Sequence, residues 1–200
     1  MSVKFGWILF FAMLLLWTSF SWQPLDFCIV FPISLVILSA IAIFFSRIPI
    51  KRKPPLTICG FALLSGLFLY GLFAFGKWLI TLTGIPLLAS LETLYDMIRP
   101  TEWWHYFVLF VFIIPGEELF WRGYVVGTLH NQMSEGRAII FGALLYGIVH
   151  AASSSLLLVL AAFLAGLVWG WLFVRTKSIW PPLLSHLLFD ALLLIWLPLM

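Results

Sequence analysis

The sequence predicts an all-α fold, a polytopic transmembrane bundle of about seven spans, and three observations carry that reading. Hydrophobic residues make up 64% of the 200 positions and charged residues only 10%, with a mean hydropathy of +1.13, far from the balance of a soluble domain. Apolar runs of spanning length follow one another along the chain, and a spanning helix needs roughly 20 such residues, so about six to eight fit. Lys and Arg fall mainly in the short breaks between runs, which is the pattern of membrane topology. Composition therefore excludes a soluble catalytic domain beside the spans, and the net charge of +3 reads as topology, with no nucleic-acid partner expected. Cys28 and Cys59 lie inside apolar runs without a partner motif, so neither a disulfide framework nor a thiolate metal site is expected.

Seven segments follow in order: 5–22, 26–46, 56–80, 104–129, 137–152, 155–174 and 179–198. The first follows Lys4 and resembles a signal peptide in hydropathy, but Thr18 to Gln23 lacks the small-x-small cleavage pattern, so it reads as a span. The break holding Arg47, Lys51, Arg52 and Lys53 among three prolines is the strongest basic connection, and the positive-inside rule assigns it to the cytoplasm. Lys4, Arg137, Arg175 and Lys177 then fall on the same side, leaving Lys77 and Arg99 opposite. The N-terminus is expected inside and the C-terminus outside. Between Gly84 and Trp104, Glu92, Asp96, Arg99 and Glu102 alternate with apolar residues, as in a segment lying along the outer interface. Ala162, Gly166 and Gly170 keep helical spacing and predict close packing with a neighbouring helix. No internal repeat is visible. The chain reads as one membrane domain, with N-terminal spans and interfacial segment over 1–103 and a catalytic core over 104–200. Its length and lack of other domains point to a prokaryotic inner membrane.

Ionisable side chains within a span cost roughly 2.5–3.5 kcal/mol each on insertion and are functional candidates by default. Six occur in the last four segments: Glu117, Glu118 and Arg122 after Pro115-Gly116, His150 four residues after Tyr146, and the pair His186 and Asp190. Glu118 and Arg122 stand at i and i+4, so they share a helix face and can pair. Glu117 is rotated by about 100° from Glu118 and keeps a carboxylate free for proton transfer. Asp190 stands one turn beyond His186, where it can fix the imidazole tautomer. Pro115 and Gly116 are expected to loosen the helix and admit water. Counted at about 1.5 Å per residue from the cytoplasmic span ends, Glu117 and His150 lie roughly 18 Å deep, Asp190 about 16 Å and His186 about 10 Å. This predicts convergence in the cytoplasmic half of the bilayer, in a cavity opening toward the cytoplasm. His105 and His130, at span ends, are assigned no chemistry, and the eleven Trp residues read mostly as interface anchors.

The Glu-Glu-x-x-x-Arg, aromatic-x-x-x-His and His-x-x-x-Asp segments, in this order on successive helices, resemble the CAAX-processing and bacteriocin-immunity proteases, the family of the type II CAAX prenyl endopeptidase. The resemblance spans about residues 104–198. It implies that Glu117 and His150 activate a water for attack on a peptide carbonyl, that His186 and Asp190 line the oxyanion site, and that Glu118 and Arg122 support the glutamate. It implies no cofactor and a membrane-anchored peptide or protein as substrate partner. Two positions depart from the pattern: Tyr146 stands where the family often has Phe, and Asp190 where eukaryotic members have Asn. An ionised aspartate repels an oxyanion that an amide would bind, so Asp190 must be protonated or act through His186. A zinc site on Glu117, His150 and His186 is the second expectation, although the His-Glu-x-x-His signature is absent. Outside peptidase chemistry, the same residues suit a proton-coupled transporter or a non-catalytic immunity protein.

Overall fold

The computed structural model describes residues 3–21, 27–46, 48–49 and 55–199. Eight helices and no strand occur among them. They are α1 (Val3–Ser21), α2 (Phe27–Phe45), α3 (Leu56–Thr83), α4 (Leu88–Ile98), a continuous helical run α5 over 103–130, α6 (Glu135–Ser153, its last turn 3₁₀), α7 (Leu156–Thr176) and α8 (Trp180–Trp196). Seven correspond to the expected spans. The eighth, α4, is the expected interfacial segment. Residues 47 and 51–53 lie outside the described residues, so the basic connection is known by its flanks.

Five helices, α1, α2, α3, α6 and α7, are long and apolar enough to cross a membrane. The run α5 is long enough but carries Glu117, Glu118 and Arg122 at its centre, and α8 is shorter. Helix ends follow local chemistry. Gly84, with φ at 67°, ends α3 in the left-handed conformation that glycine adopts without strain. Ser155 accepts a bond from the Leu158 N–H at 3.3 Å and caps α7.

Three contacts set the arrangement. Lys4 Nζ lies 3.8 Å above the ring of Phe45, which puts the start of α1 beside the end of α2. Arg175 pairs with Glu135 at 3.6 Å, which puts the end of α7 beside the start of α6. Ile48, just past α2, lies where a Cβ on Gly123 would meet it at 3.0 Å. All these ends belong to one pole of the bundle, the pole that carries most of the basic residues.

The small-residue stripe on α7 packs as expected. A Cβ on Gly166 would sit 3.1 Å from Ala143, and one on Gly170 3.4 Å from Ile139, so α6 and α7 are drawn close along their length. Gly116 has a different task from the one expected of it. A Cβ there would meet Leu35 at 2.9 Å, so this glycine admits the backbone of α2. The irregularity of α5 lies in wide π-helical turns over Leu109–Ile113 and Glu118–Val126, of the sort found at functional sites.

Candidate active site

Glu117, Glu118, Arg122, His150 and His186 are all buried, at no more than 6% exposure, and Asp190 is partly buried beside them. The structure brings the six together from α5, α6 and α8. Glu117, His150, His186 and Asp190 line one cavity, whose remaining wall is largely aromatic and aliphatic, including Phe20, Phe31 and Phe189.

Glu117 faces the cavity. Its Oε2 accepts a hydrogen bond from the Tyr146 hydroxyl at 3.1 Å. Its Oε1 lies 3.7 Å from His150 Nε2 and its Oε2 lies 3.8 Å from His186 Nε2. Both separations exceed a direct hydrogen bond, yet they are short enough for a single small molecule to touch carboxylate and imidazole together. His150 is oriented from behind by the Tyr146 carbonyl, 2.7 Å from its Nδ1. A carbonyl can only accept, so Nδ1 carries a proton and donates, while Nε2 is turned to Glu117. The relation between Tyr146 and His150 is thus made by the backbone, and the tyrosine hydroxyl is released to hold Glu117.

Glu118 and Arg122 pair across one helical turn at 3.2 Å, as their spacing predicts. Sequence reasoning missed the next link: Glu118 Oε1 also lies 2.8 Å from His186 Nδ1. His186 therefore has Glu118 at one ring nitrogen and, at the other, Asp190 Oδ2 at 3.4 Å. Asp190 does contact its expected partner, but Glu118 makes the shorter bond. Arg122 lies within cation–π distance of two rings, Tyr146 at 4.4 Å and Trp169 at 4.8 Å. The Trp169 ring in turn stacks on His186 at 3.8 Å and 20°.

Two tryptophans are thus interior groups. Trp121 packs against Tyr146 at 5.4 Å, and both Trp121 and Trp169 are almost wholly buried, whereas Trp103, 80% exposed, suits an interface position. Ser185 was also missed. It accepts from the Trp169 indole N–H at 3.1 Å and from the Ser65 hydroxyl at 2.9 Å, which ties the residue before His186 to α7 and α3. His105, expected at the water boundary, is buried and lines the cavity. Its Nδ1 accepts from the backbone N–H groups of Thr101 and Glu102 at 3.2 and 3.3 Å and so closes the turn that starts α5. Only the partner in sequence spacing signalled Asp190, and no signal beyond burial would have found Trp169 or Ser185.

The cavity extends away from the pole toward which it was expected to open. Its wall draws on Phe20 at the end of α1, Phe27 and Cys28 at the start of α2, Ile98 at the end of α4 and Pro100 after it, all at the pole opposite the basic one. The rings of Phe20 and His150 are 5.6 Å apart, near the ends of both α1 and α6. A depth of roughly 18 Å already passes the middle of a hydrocarbon core of about 30 Å. These wall residues extend the cavity toward the pole away from the basic connection.

Apolar helices long enough to cross a membrane, packed around a buried carboxylate that faces two imidazoles, make this an integral membrane protein with a polar interior cluster. Residues 99–192 match the family described as "Type II CAAX prenyl endopeptidase Rce1-like". That segment, just under half of the chain, holds all six candidate residues, so the similarity lies where the candidate site lies. Among curated proteins, the chain is 33% identical over 79 residues to the "Putative membrane peptidase YdiL" of Bacillus subtilis (strain 168), an alignment covering 40% of this chain and 31% of that relative. The match thus spans about a third of the relative's length. No solved structure matches the chain.

Proposed function

We propose that the protein is an intramembrane endopeptidase in which Glu117 and His150 activate a water that attacks the carbonyl of a membrane-associated peptide or protein. The observation that carries this reading is the facing of Glu117 Oε1 and His150 Nε2 at 3.7 Å within a cavity. A water held between them can donate one O–H to the carboxylate and the other to Nε2, both of which accept. As its oxygen bonds to the carbonyl carbon, its proton passes to the carboxylate or the imidazole, and the leaving amine takes that proton when the C–N bond breaks. His186, with a carboxylate at each ring nitrogen, is satisfied as an imidazolium and provides positive charge near the developing oxyanion. On this reading the Asp190 carboxylate, 3.4 Å from His186 Nε2, acts through that histidine. Tyr146 holds Glu117 in place, while Glu118 and Arg122 hold His186 and each other.

A metal-dependent version of the same reaction has one observation in its favour. Both histidines direct Nδ1 to an oxygen, a carbonyl for His150 and a carboxylate for His186, and turn Nε2 toward Glu117, the outer-contact pattern of metal-binding histidines. Among the described residues no group of three or more His, Cys, Asp or Glu is gathered closely enough to hold an ion as it stands, so an ion would require a shift of these side chains. Glu117, His150 and His186 would then hold zinc, which supplies Lewis acidity. Metal analysis of purified protein with and without chelation separates the two versions.

The test of the peptidase is a comparison of peptide termini in membrane fractions from cells carrying the wild-type protein or Glu117→Ala at matched abundance. Termini that depend on Glu117 are expected, with a loss of roughly 10²–10⁴ in their rate of formation. A phenotype that persists in Glu117→Ala with no change in termini points instead to a binding or transport role, such as immunity by sequestration.

A further inference from the structure

We propose that the catalytic cavity opens on the extracytoplasmic face, so that its substrate is a translocated segment of a membrane-associated peptide and not a cytosolic tail. The substrate part of this inference rests on the peptidase reading. The side on which the cavity opens does not.

Two gradients run along the bundle in opposite directions. Positive charge gathers at one pole. Lys4 stands there over Phe45, Arg175 pairs there with Glu135, Arg137 and Lys177 flank the same helix ends, and the sequence joining α2 to α3 adds Arg47, Lys51, Arg52 and Lys53. At the other pole the helix ends carry Arg99 and, a little deeper, Lys77, together with the acidic Glu92, Asp96 and Glu102. The count of eight basic residues against two is the statistic that orients short-loop membrane proteins, with acidic residues contributing little. The basic pole is cytoplasmic by that rule.

The cavity runs from the middle of α5, where Glu117 stands, toward the far pole. His150 lies fifteen residues from Glu135, the start of α6, which is about 22 Å of helix, and only three residues from the end of α6 at Ser153. Its ring meets Phe20, one residue from the end of α1. The amphipathic α4 lies at this pole too. Its Glu92, Thr93 and Asp96 are exposed, while Leu94 and Tyr95 are buried. The Tyr95 hydroxyl donates to the Leu193 carbonyl at 3.0 Å, which fastens α4 to α8, and Ile98 and Leu193 both line the cavity. A peptide reaching Glu117 from water enters past these residues. A cytosolic tail would have to cross more than half of the bilayer to do so. A precursor peptide exported through the membrane, or the outer end of a membrane-anchored protein, is already there.

The test replaces Cys28 and Cys59 with Ala and introduces one cysteine at each pole, Asp96→Cys at the cavity pole and Gly136→Cys at the basic pole. Both positions are exposed, and a side chain at Gly136 meets nothing within 4 Å. A membrane-impermeant maleimide applied to intact cells is expected to label Asp96→Cys, and to label Gly136→Cys only after permeabilisation. Labelling of Gly136→Cys in intact cells, or of Asp96→Cys only after permeabilisation, overturns the proposal. A reporter pair fused after Met200 of the otherwise unaltered chain gives an independent reading. Alkaline phosphatase is expected to be active there and green fluorescent protein dark, and the opposite result overturns the orientation. Neither readout needs catalysis. An inactive protein with this orientation would sink only the peptidase reading, and an active peptidase with the opposite orientation would sink only this inference.

Discussion

Helices α1–α3 and helices α5–α8 are both largely apolar, yet they do different things with that surface. In α3 only 17% of the best spanning window is buried inside the protein, against 44% in α7. The first three helices expose Trp7, Phe44, Phe61 and Phe68 to what surrounds the bundle, while α5, α6 and α8 turn ionisable groups inward. An isolated charge in hydrocarbon is costly, so those groups are tolerated because they satisfy one another. Still, the first half is no inert jacket. Phe20 and Phe31 wall the cavity, Leu35 seats Gly116, and Gly66 seats Ser185. The difference teaches that chemistry is concentrated in one half and its placement is shared by both.

The largest effect expected on that division comes from breaking the buried charge set. Arg122→Leu takes from Glu118, at 0% exposure, its arginine partner and removes the group between Tyr146 and Trp169. Removing one partner of a buried pair destabilises by about 3–5 kcal/mol, so the thermal midpoint in detergent should fall sharply and activity vanish with it. Arg122→Lys, which keeps the charge but loses the planar stacking, should fall between that variant and wild type. If Arg122→Leu melts like wild type, Glu118 and Arg122 are not the structural keystone of the core.

A smaller effect tests whether the first half positions the second. A Cβ on Gly66 of α3 would lie 2.7 Å from the Ser185 carbonyl oxygen, a backbone atom that cannot swing aside, one residue before His186. Gly66→Val must therefore push α8 away, at about 1–3 kcal/mol of overpacking. Activity should fall further than stability alone explains, because His186 moves relative to Glu117. Gly71, where a Cβ meets nothing within 4 Å, is the control on the same helix: Gly71→Val should leave activity unchanged. Equal activity losses in the two variants would mean that α3 does not set the position of His186.

The same contrast explains what the sequence allowed one to read. The helical bundle, its eight helices and the meeting of Glu117, Glu118, Arg122, His150, His186 and Asp190 were legible because charge is rare in this chain and its spacing on a helix fixes direction. Trp169, Ser185, Gly66 and the true task of Gly116 were not. Trp and Gly occur eleven and fourteen times, so no single one stands out until its neighbours from other helices are known. The Glu118–His186 contact spans 68 residues and depends on the rotation of two helices, one of them carrying π-helical turns that spacing rules do not anticipate. The side of the cavity was misjudged for a simpler reason. Rise per residue measures distance from one end, and a depth of roughly 18 Å falls beyond the midplane of a core about 30 Å thick.

The smallest effect concerns a single hydrogen bond within the active half. Tyr146→Phe removes the 3.1 Å bond to Glu117 Oε2 but keeps the ring beside Arg122 and the backbone carbonyl that orients His150. Because His150 is held by the main chain, its direction should survive the substitution, and only the carboxylate gains freedom. One hydrogen bond to a carboxylate is worth about 1.5 kcal/mol, so cleavage should slow about tenfold with little change in thermal midpoint. A loss as large as that of Glu117→Ala would mean that the phenol itself takes part in the chemistry. Unchanged activity would mean that Glu117 is fixed by its two histidines alone, which places the whole of its positioning in α6 and α8 and narrows the working site to three side chains.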